Sequence, residues 1–147
     1  MGSIVLPSEG PVYVDAQVLI YSVEKHPVYA SLLRPLWSAV QAGQLDVVSS
    51  ELVVLEALVV PYRNQDTALI AVFDRFFIQP GFRLEPITQA IHRSAAQLRA
   101  ITRLRTPDAI HAATAMQTAC TEFFTNDKSF RSVAGLRTQT LDDLLTP

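Results

Sequence analysis

The chain has one cysteine, Cys120, in 147 residues, so no internal disulfide can form. That fits a reducing compartment, and the expected location is cytoplasmic. There is no run of about 18 uncharged apolar residues, so no membrane span is expected. The N-terminus has no basic segment leading into an apolar one, so it does not read as a secretory signal. Charge is also scarce: Asp, Glu, Lys and Arg make up 18% of the residues, against about 25% in an ordinary soluble domain. The formal net charge of −2 gives no general attraction to nucleic acid. A glycine-rich phosphate loop, a zinc-type Cys/His spacing and a supportable Ser/His/Asp grouping are all missing.

The chain is instead rich in core material, at 49% hydrophobic residues. That is more than a small chain hides easily, and it points to surface covered by a partner or a second copy. The length suits a single domain over residues 1-147, and no repeat or linker interrupts it.

Residues 12–16, after Gly10 and Pro11, read as a buried strand, and 18–24 as a helix. In 28–42 the residues Leu32, Leu33, Leu36, Trp37 and Val40 recur at helical spacing. Pro35 is expected to kink or split that helix, and Gly43 to stop it. Residues 45–49 form a second strand. Ser50 then caps a helix that Pro61 ends. An amphipathic helix over 65–78, a strand over 82–86 and a helix over 88–103 follow. The next helix, 106–119, has Thr106 as cap and Pro107 at its first position. Residues 122–125 and 136–140 complete a set of four to five strands. Strands alternating with helices give an α/β fold, a parallel sheet covered on both faces. Ligands of such sheets sit beyond the carboxyl ends of the strands.

Four carboxylates fall where apolar residues or turns are expected: Asp15, Glu56, Asp108 and Asp127. Buried charges are costly unless paired, and converging carboxylates call for a divalent cation such as Mg²⁺ or Mn²⁺. Such a site suggests phosphoryl chemistry on nucleic acid. Asp15 lies at a strand end and can also cap the following helix. Glu56 is the only charge between Leu52 and Pro61, in a helix apolar enough all round to be buried. Asp108, by itself, fits a helix-dipole role equally well. Asp127 sits in ordinary Asn-Asp turn chemistry. Thr125 and Asn126 are placed to hydrogen-bond ligands or water. His111, one turn after Asp108, reads as a packed, hydrogen-bonded helix residue rather than a ligand.

Of the twelve basic residues only Lys25 and Lys128 are not arginine. Arg93, Arg99, Arg103 and Arg105 crowd just before Asp108. They fit solvated faces and ion pairs, or contact with a phosphate backbone.

Together VYVDAQVLIY, ELVVLEALVVP, TPDAIHAATA and FFTNDKSF, in this order, resemble the PIN-domain ribonucleases, specifically the VapC-like toxins of toxin–antitoxin pairs. The resemblance spans nearly the whole chain and implies a three-layer α/β/α fold around a parallel sheet. It implies Asp15, Glu56, Asp108 and Asp127 as the catalytic acidic quartet, with Asp15, Asp108 and Asp127 holding Mg²⁺ or Mn²⁺. Thr125, Asn126 and Gln17 would support them. Gln17 departs from the family, which commonly has Asn or Ser there. The implied activity is metal-dependent hydrolysis of RNA, with Arg99, Arg103, Arg105 and Lys128 as candidates for the RNA backbone. The implied partners are RNA, a cognate antitoxin and a second copy of the chain. Two rivals stand beside it: a PIN-like binding module without catalysis, and a phosphoacceptor domain of the response-regulator type.

Overall fold

The structure, a computed structural model, describes residues 2–145. Five strands form one parallel sheet in the order β3-β2-β1-β4-β5. They are β1 (Val12–Val14), β2 (Val47–Ser50), β3 (Phe82–Glu85), β4 (Glu122–Thr125) and β5 (Thr138–Thr140). The helices are α1 (Ala16–Val23), α2 (Tyr29–Gln41), α3 (Leu52–Arg63), α4 (Thr67–Phe77), α5 (Gln89–Ile101), α6 (Thr106–Gln117) and α7 (Leu141–Leu145).

The two-residue period of a strand sends successive side chains to opposite faces, and this builds the three layers. Val12, Val14, Val47 and Phe124 point to one core, with Leu19 of α1, Leu33 and Leu36 of α2, Val53 of α3 and Phe73 of α4. Tyr13, Val48 and Phe123 point to the other, against Ile91 and Ala95 of α5 and Ala109, Ala112 and Ala113 of α6. Burying each large apolar side chain contributes about 1.5–3 kcal/mol. Alanines on the sheet side of α6 let it lie close to the sheet, and Ala109, Ala112 and Ala115 are fully buried. That close packing fixes the N-terminus of α6.

Several local expectations are corrected. Pro35 does not split α2, which runs unbroken from Tyr29 to Gln41 with Pro35 on its exposed side, where a carbonyl left unpaired is open to solvent. Pro61 does not end α3, which continues to Arg63, with Asn64 N–H donating to the Val60 carbonyl. A proline in the last turn removes only its own donor. The cap position of α3 is Glu51, while Ser50 Oγ accepts from Leu52 N–H at 3.1 Å. Thr106 is the first residue of α6, and Arg105 precedes it without a side-chain cap. Nor is α3 buried all round: Leu55 is 63% exposed and Val60 53%. Residues 128–132 form a 3₁₀ turn and α7 follows β5, two elements too short to show a sequence period. The strand order also removes the response-regulator reading, whose sheet runs 2-1-3-4-5.

Candidate active site

From β1 the sheet grows through β2 to β3 on one side and through β4 to β5 on the other. The chain direction of growth reverses between β1 and β4, and a crevice opens at such a point beyond the strand ends. Val14 pairs with Phe124, so the next residues, Asp15 and Thr125, stand together across that line.

Asp15 is 7% exposed and caps α1 as expected. Its Oδ1 accepts from Val18 N–H at 3.1 Å, capping α1. Its Oδ2 accepts from the Thr125 hydroxyl at 2.5 Å. Burial pushes the Asp15 carboxyl above the ordinary carboxylate range, and the hydrogen bonds from Thr125 and Val18 pull against it. Thr125 is fully buried, and its Oγ1 also accepts from Asp127 N–H at 2.9 Å. One hydroxyl thus spans two carboxylate-bearing residues.

Asp127 is exposed, and its Oδ1 accepts from Ser129 N–H at 2.9 Å, capping the 3₁₀ turn. Asp108 sits half-buried in the first turn of α6. Desolvation raises its carboxyl, the Asp127 charge adds to the rise, and His111 and Arg105 oppose it. Glu56 reaches in from α3, where its Oε1 lies 2.6 Å from His111 Nε2. All four carboxylates line one cleft of about 600 Å³, together with Gln17, Ile20, Tyr21, His111, Asn126 and Phe130.

The supporting residues divide. Gln17 is exposed in the cleft wall. Asn126 lines the cleft, but its amide is committed sideways: Nδ2 donates to the Tyr21 hydroxyl at 3.4 Å, and Oδ1 accepts from Asp142 N–H at 2.9 Å. Sequence reading passed over Tyr13 as a strand residue. Its hydroxyl, fully buried, lies 2.6 Å from His111 Nδ1 and accepts from Ser50 N–H at 3.0 Å. A tyrosine in a strand closed on both faces is a usable signal, because its hydroxyl must find a partner. His111, 2% exposed, is the packed, hydrogen-bonded residue expected.

Arg99, Arg103, Arg105 and Lys128 stand outside the cleft lining. Arg99 is engaged within the fold, donating from Nε to the Leu104 carbonyl at 3.1 Å and from Nη1 to Thr106 Oγ1 at 3.0 Å. Arg105 is near enough to lower the Asp108 carboxyl, and Lys128 lies 3.9 Å from Asp143.

The profile of the PIN domain matches residues 12–136. The chain belongs to the PIN-domain family. No curated protein matches it in sequence. Among solved structures, this PIN domain is similar to VapBC2 from Rickettsia felis bound to a fragment of promoter DNA. That likeness has a TM-score of 0.70 and 15% identity, over 88% of this chain and 97% of the other. It is also similar to VapC20 of Mycobacterium tuberculosis, a Sarcin-Ricin loop cleaving toxin. There the TM-score is 0.68 at 16% identity, covering 85% and 95% of the two chains. FitAcB from Neisseria gonorrhoeae gives a TM-score of 0.69 and 22% identity, over 90% and 99%. At these identities the likeness establishes the fold.

The donor set of this PIN domain fits a hard divalent cation. Four carboxylates line the cleft, and two of them, Asp15 and Asp108, have carboxyls raised by burial with like charges adding. Nearby negative charges without a cation repel, and a cation relieves them. The three-carboxylate cradle expected from sequence is not preassembled: among the described residues, no group of three His, Cys, Asp or Glu is arranged to hold a metal ion by itself.

Proposed function

We infer that this PIN domain is a metal-dependent endoribonuclease toxin that hydrolyses RNA phosphodiester bonds and is neutralised by a cognate antitoxin. The observation that carries the reading is the convergence of Asp15, Glu56, Asp108 and Asp127, from four separate segments, on one cleft at the switch point. The toxin–antitoxin neighbours of the same fold support it.

Asp15, Asp108 and Asp127 would hold Mg²⁺ or Mn²⁺, which supplies an activated water and charge stabilisation at the leaving oxygen. The chain's own residues do the rest. Thr125 and Val18 N–H fix the Asp15 carboxylate, so its remaining lone pairs face the cleft. Ser129 N–H orients Asp127. Glu56, which lines the same cleft as Asp15 and is bonded to His111, would take a proton from the attacking water. Arg103, Arg105 and Lys128 are the candidates for phosphates flanking the scissile bond; Arg99 contributes chiefly by holding α5 to α6.

Residues 1-147 act as one domain in the cytoplasm, and the single cysteine agrees with that compartment. Among the described residues, no helix is long and apolar enough to cross a membrane. The exposed apolar residues of α3, Leu55, Val59, Val60 and Tyr62, suit contact with an antitoxin or with a second copy in a homodimer.

Purified protein and Asp15→Asn are incubated with defined RNAs, including intact tRNA and ribosomal fragments, in Mn²⁺, Mg²⁺ or EDTA. Cleavage that needs metal and is lost in the variant supports the enzyme and its site together. The absence of a preassembled three-ligand group, with Gln17 in place of a short side chain, favours a second reading, a catalytically inactive PIN-like RNA- or protein-binding module. Neither cleavage nor Mn²⁺ binding by calorimetry would select it.

A further inference from the structure

We propose that Tyr13 and His111 form a buried relay that fixes His111 as the Nε2–H tautomer and aims the Glu56 carboxylate into the cleft. The relay gives these two residues a positioning role, and it rests on the nuclease reading of the cleft.

The chain of contacts runs from β2 across β1 and α6 to α3. Ser50 N–H donates to the Tyr13 hydroxyl oxygen at 3.0 Å. That oxygen lies 2.6 Å from His111 Nδ1, and His111 Nε2 lies 2.6 Å from Glu56 Oε1. A backbone N–H can only donate, so the phenol accepts there and has its own hydrogen to give. The nearby Ser49 hydroxyl donates instead to the Val14 carbonyl at 2.6 Å. A phenol keeps its proton at neutral pH. The phenol therefore donates to Nδ1, which must be the bare nitrogen, and the imidazole hydrogen sits on Nε2, facing the Glu56 carboxylate.

Packing removes the freedom that would blur this geometry. The Tyr13 ring stacks on Phe123 at 4.9 Å and 7°, and meets the His111 ring edge-on at 5.7 Å and 71°. Phe123 contacts Phe130, which lines the cleft. Among the described residues, no buried side-chain nitrogen or oxygen lacks a partner. A satisfied polar chain of this kind is rigid, whereas a half-satisfied one is costly. Glu56 itself is half-buried on a helix whose outer face is solvent, and among the described residues its carboxylate is held by His111.

Two measurements on the full-length chain test the relay. Long-range ¹⁵N NMR of the imidazoles, assigned with His111→Gln, reads the tautomer without any need for activity. The expected result is protonated Nε2 and bare Nδ1 on His111, with that preference lost in Tyr13→Phe. A His111 protonated on Nδ1, alone or together with Nε2, overturns the proposal. Kinetics on an RNA that the wild type cleaves supply the second readout. Tyr13→Phe and His111→Phe should each lower kcat by about 10- to 100-fold, the usual effect of losing a partner behind a site residue. KM should stay within about twofold, since ground-state binding is untouched. In a Glu56→Ala background neither should lower the rate further, and His111→Gln, which keeps an N–H toward Glu56, should recover much of the loss. Equal losses with and without Glu56 would mean that the relay only holds the fold together. Circular dichroism checks that each variant folds, and Tyr13→Phe serves if His111→Phe does not. If the wild type cleaves no RNA, the nuclease reading fails, while the tautomer still decides the relay.

Discussion

Thr125 Oγ1 donates to Asp15 Oδ2 at 2.5 Å and accepts from Asp127 N–H at 2.9 Å, joining the two strand ends that flank the switch point. Both contacts are made by a side chain with no exposure to water. Thr125→Val keeps the shape and removes the hydroxyl, leaving a buried carboxylate oxygen and an N–H without their partner. The expected cost is about 1–3 kcal/mol in urea unfolding, with cleavage falling as well. Thr125→Ser should keep most of both. A Thr125→Val protein as stable as wild type would show that water replaces the hydroxyl.

Asp15 and Asp108 both have carboxyls raised above the ordinary range, chiefly by desolvation. A folded-state value above the unfolded one means that the native protein binds more protons across the interval between the two. Stability of the metal-free protein is therefore greatest below the ordinary carboxylate pKa and falls as pH rises through the raised values. Asp108→Asn should raise the melting temperature of metal-free protein at neutral pH, with the gain shrinking on acidification, and should reduce activity. A lower melting temperature at neutral pH would count against the repulsion described between Asp108 and Asp127.

The same protons compete with the cation. Mn²⁺ affinity, measured by titration calorimetry, should strengthen between about pH 5 and about pH 8 as the raised carboxyls ionise, with protons released on binding. Affinity unchanged over that range would place the ion somewhere other than on Asp15 and Asp108.

Arg99 and Arg105 should part company under mutation. Arg99→Ala loses the bonds to Leu104 and Thr106 and should lower stability more than it lowers RNA affinity. Arg105→Glu with Lys128→Glu should weaken RNA binding at low salt and flatten the salt dependence by about 0.7 per lost phosphate contact on single-stranded RNA. Fluorescence anisotropy across a salt series measures both, and an unchanged slope in the double variant would remove these two residues from the interface.

Gln17 lines the cleft and is exposed, so Gln17→Ala should leave stability within about 0.5 kcal/mol. If the long amide serves the site, the variant should cleave more slowly than wild type; an equal rate would make Gln17 a bystander.

The sequence by itself determined the layers and the acidic positions. Strand and helix alternation is a local pattern, and a two-residue period through Val12, Tyr13 and Val14 already assigns the faces of β1. Asp15, Asp108 and Asp127 could be singled out because charges at strand ends and in an alanine-rich helix are conspicuous locally. Tertiary structure decided what those residues touch. Pro35 sits inside α2 on its exposed side, whereas Pro61 is buried in the last turn of α3, and a one-dimensional pattern does not carry that difference. Asp15 meets Thr125 at a sequence distance of 110, and His111 meets Tyr13 at 98. Such pairings depend on the strand order, which the chain sets only when β4 closes against β1. Arg99, exposed on α5, bonds to Leu104 and Thr106 in the α5–α6 connection, while the carboxylates line the cleft.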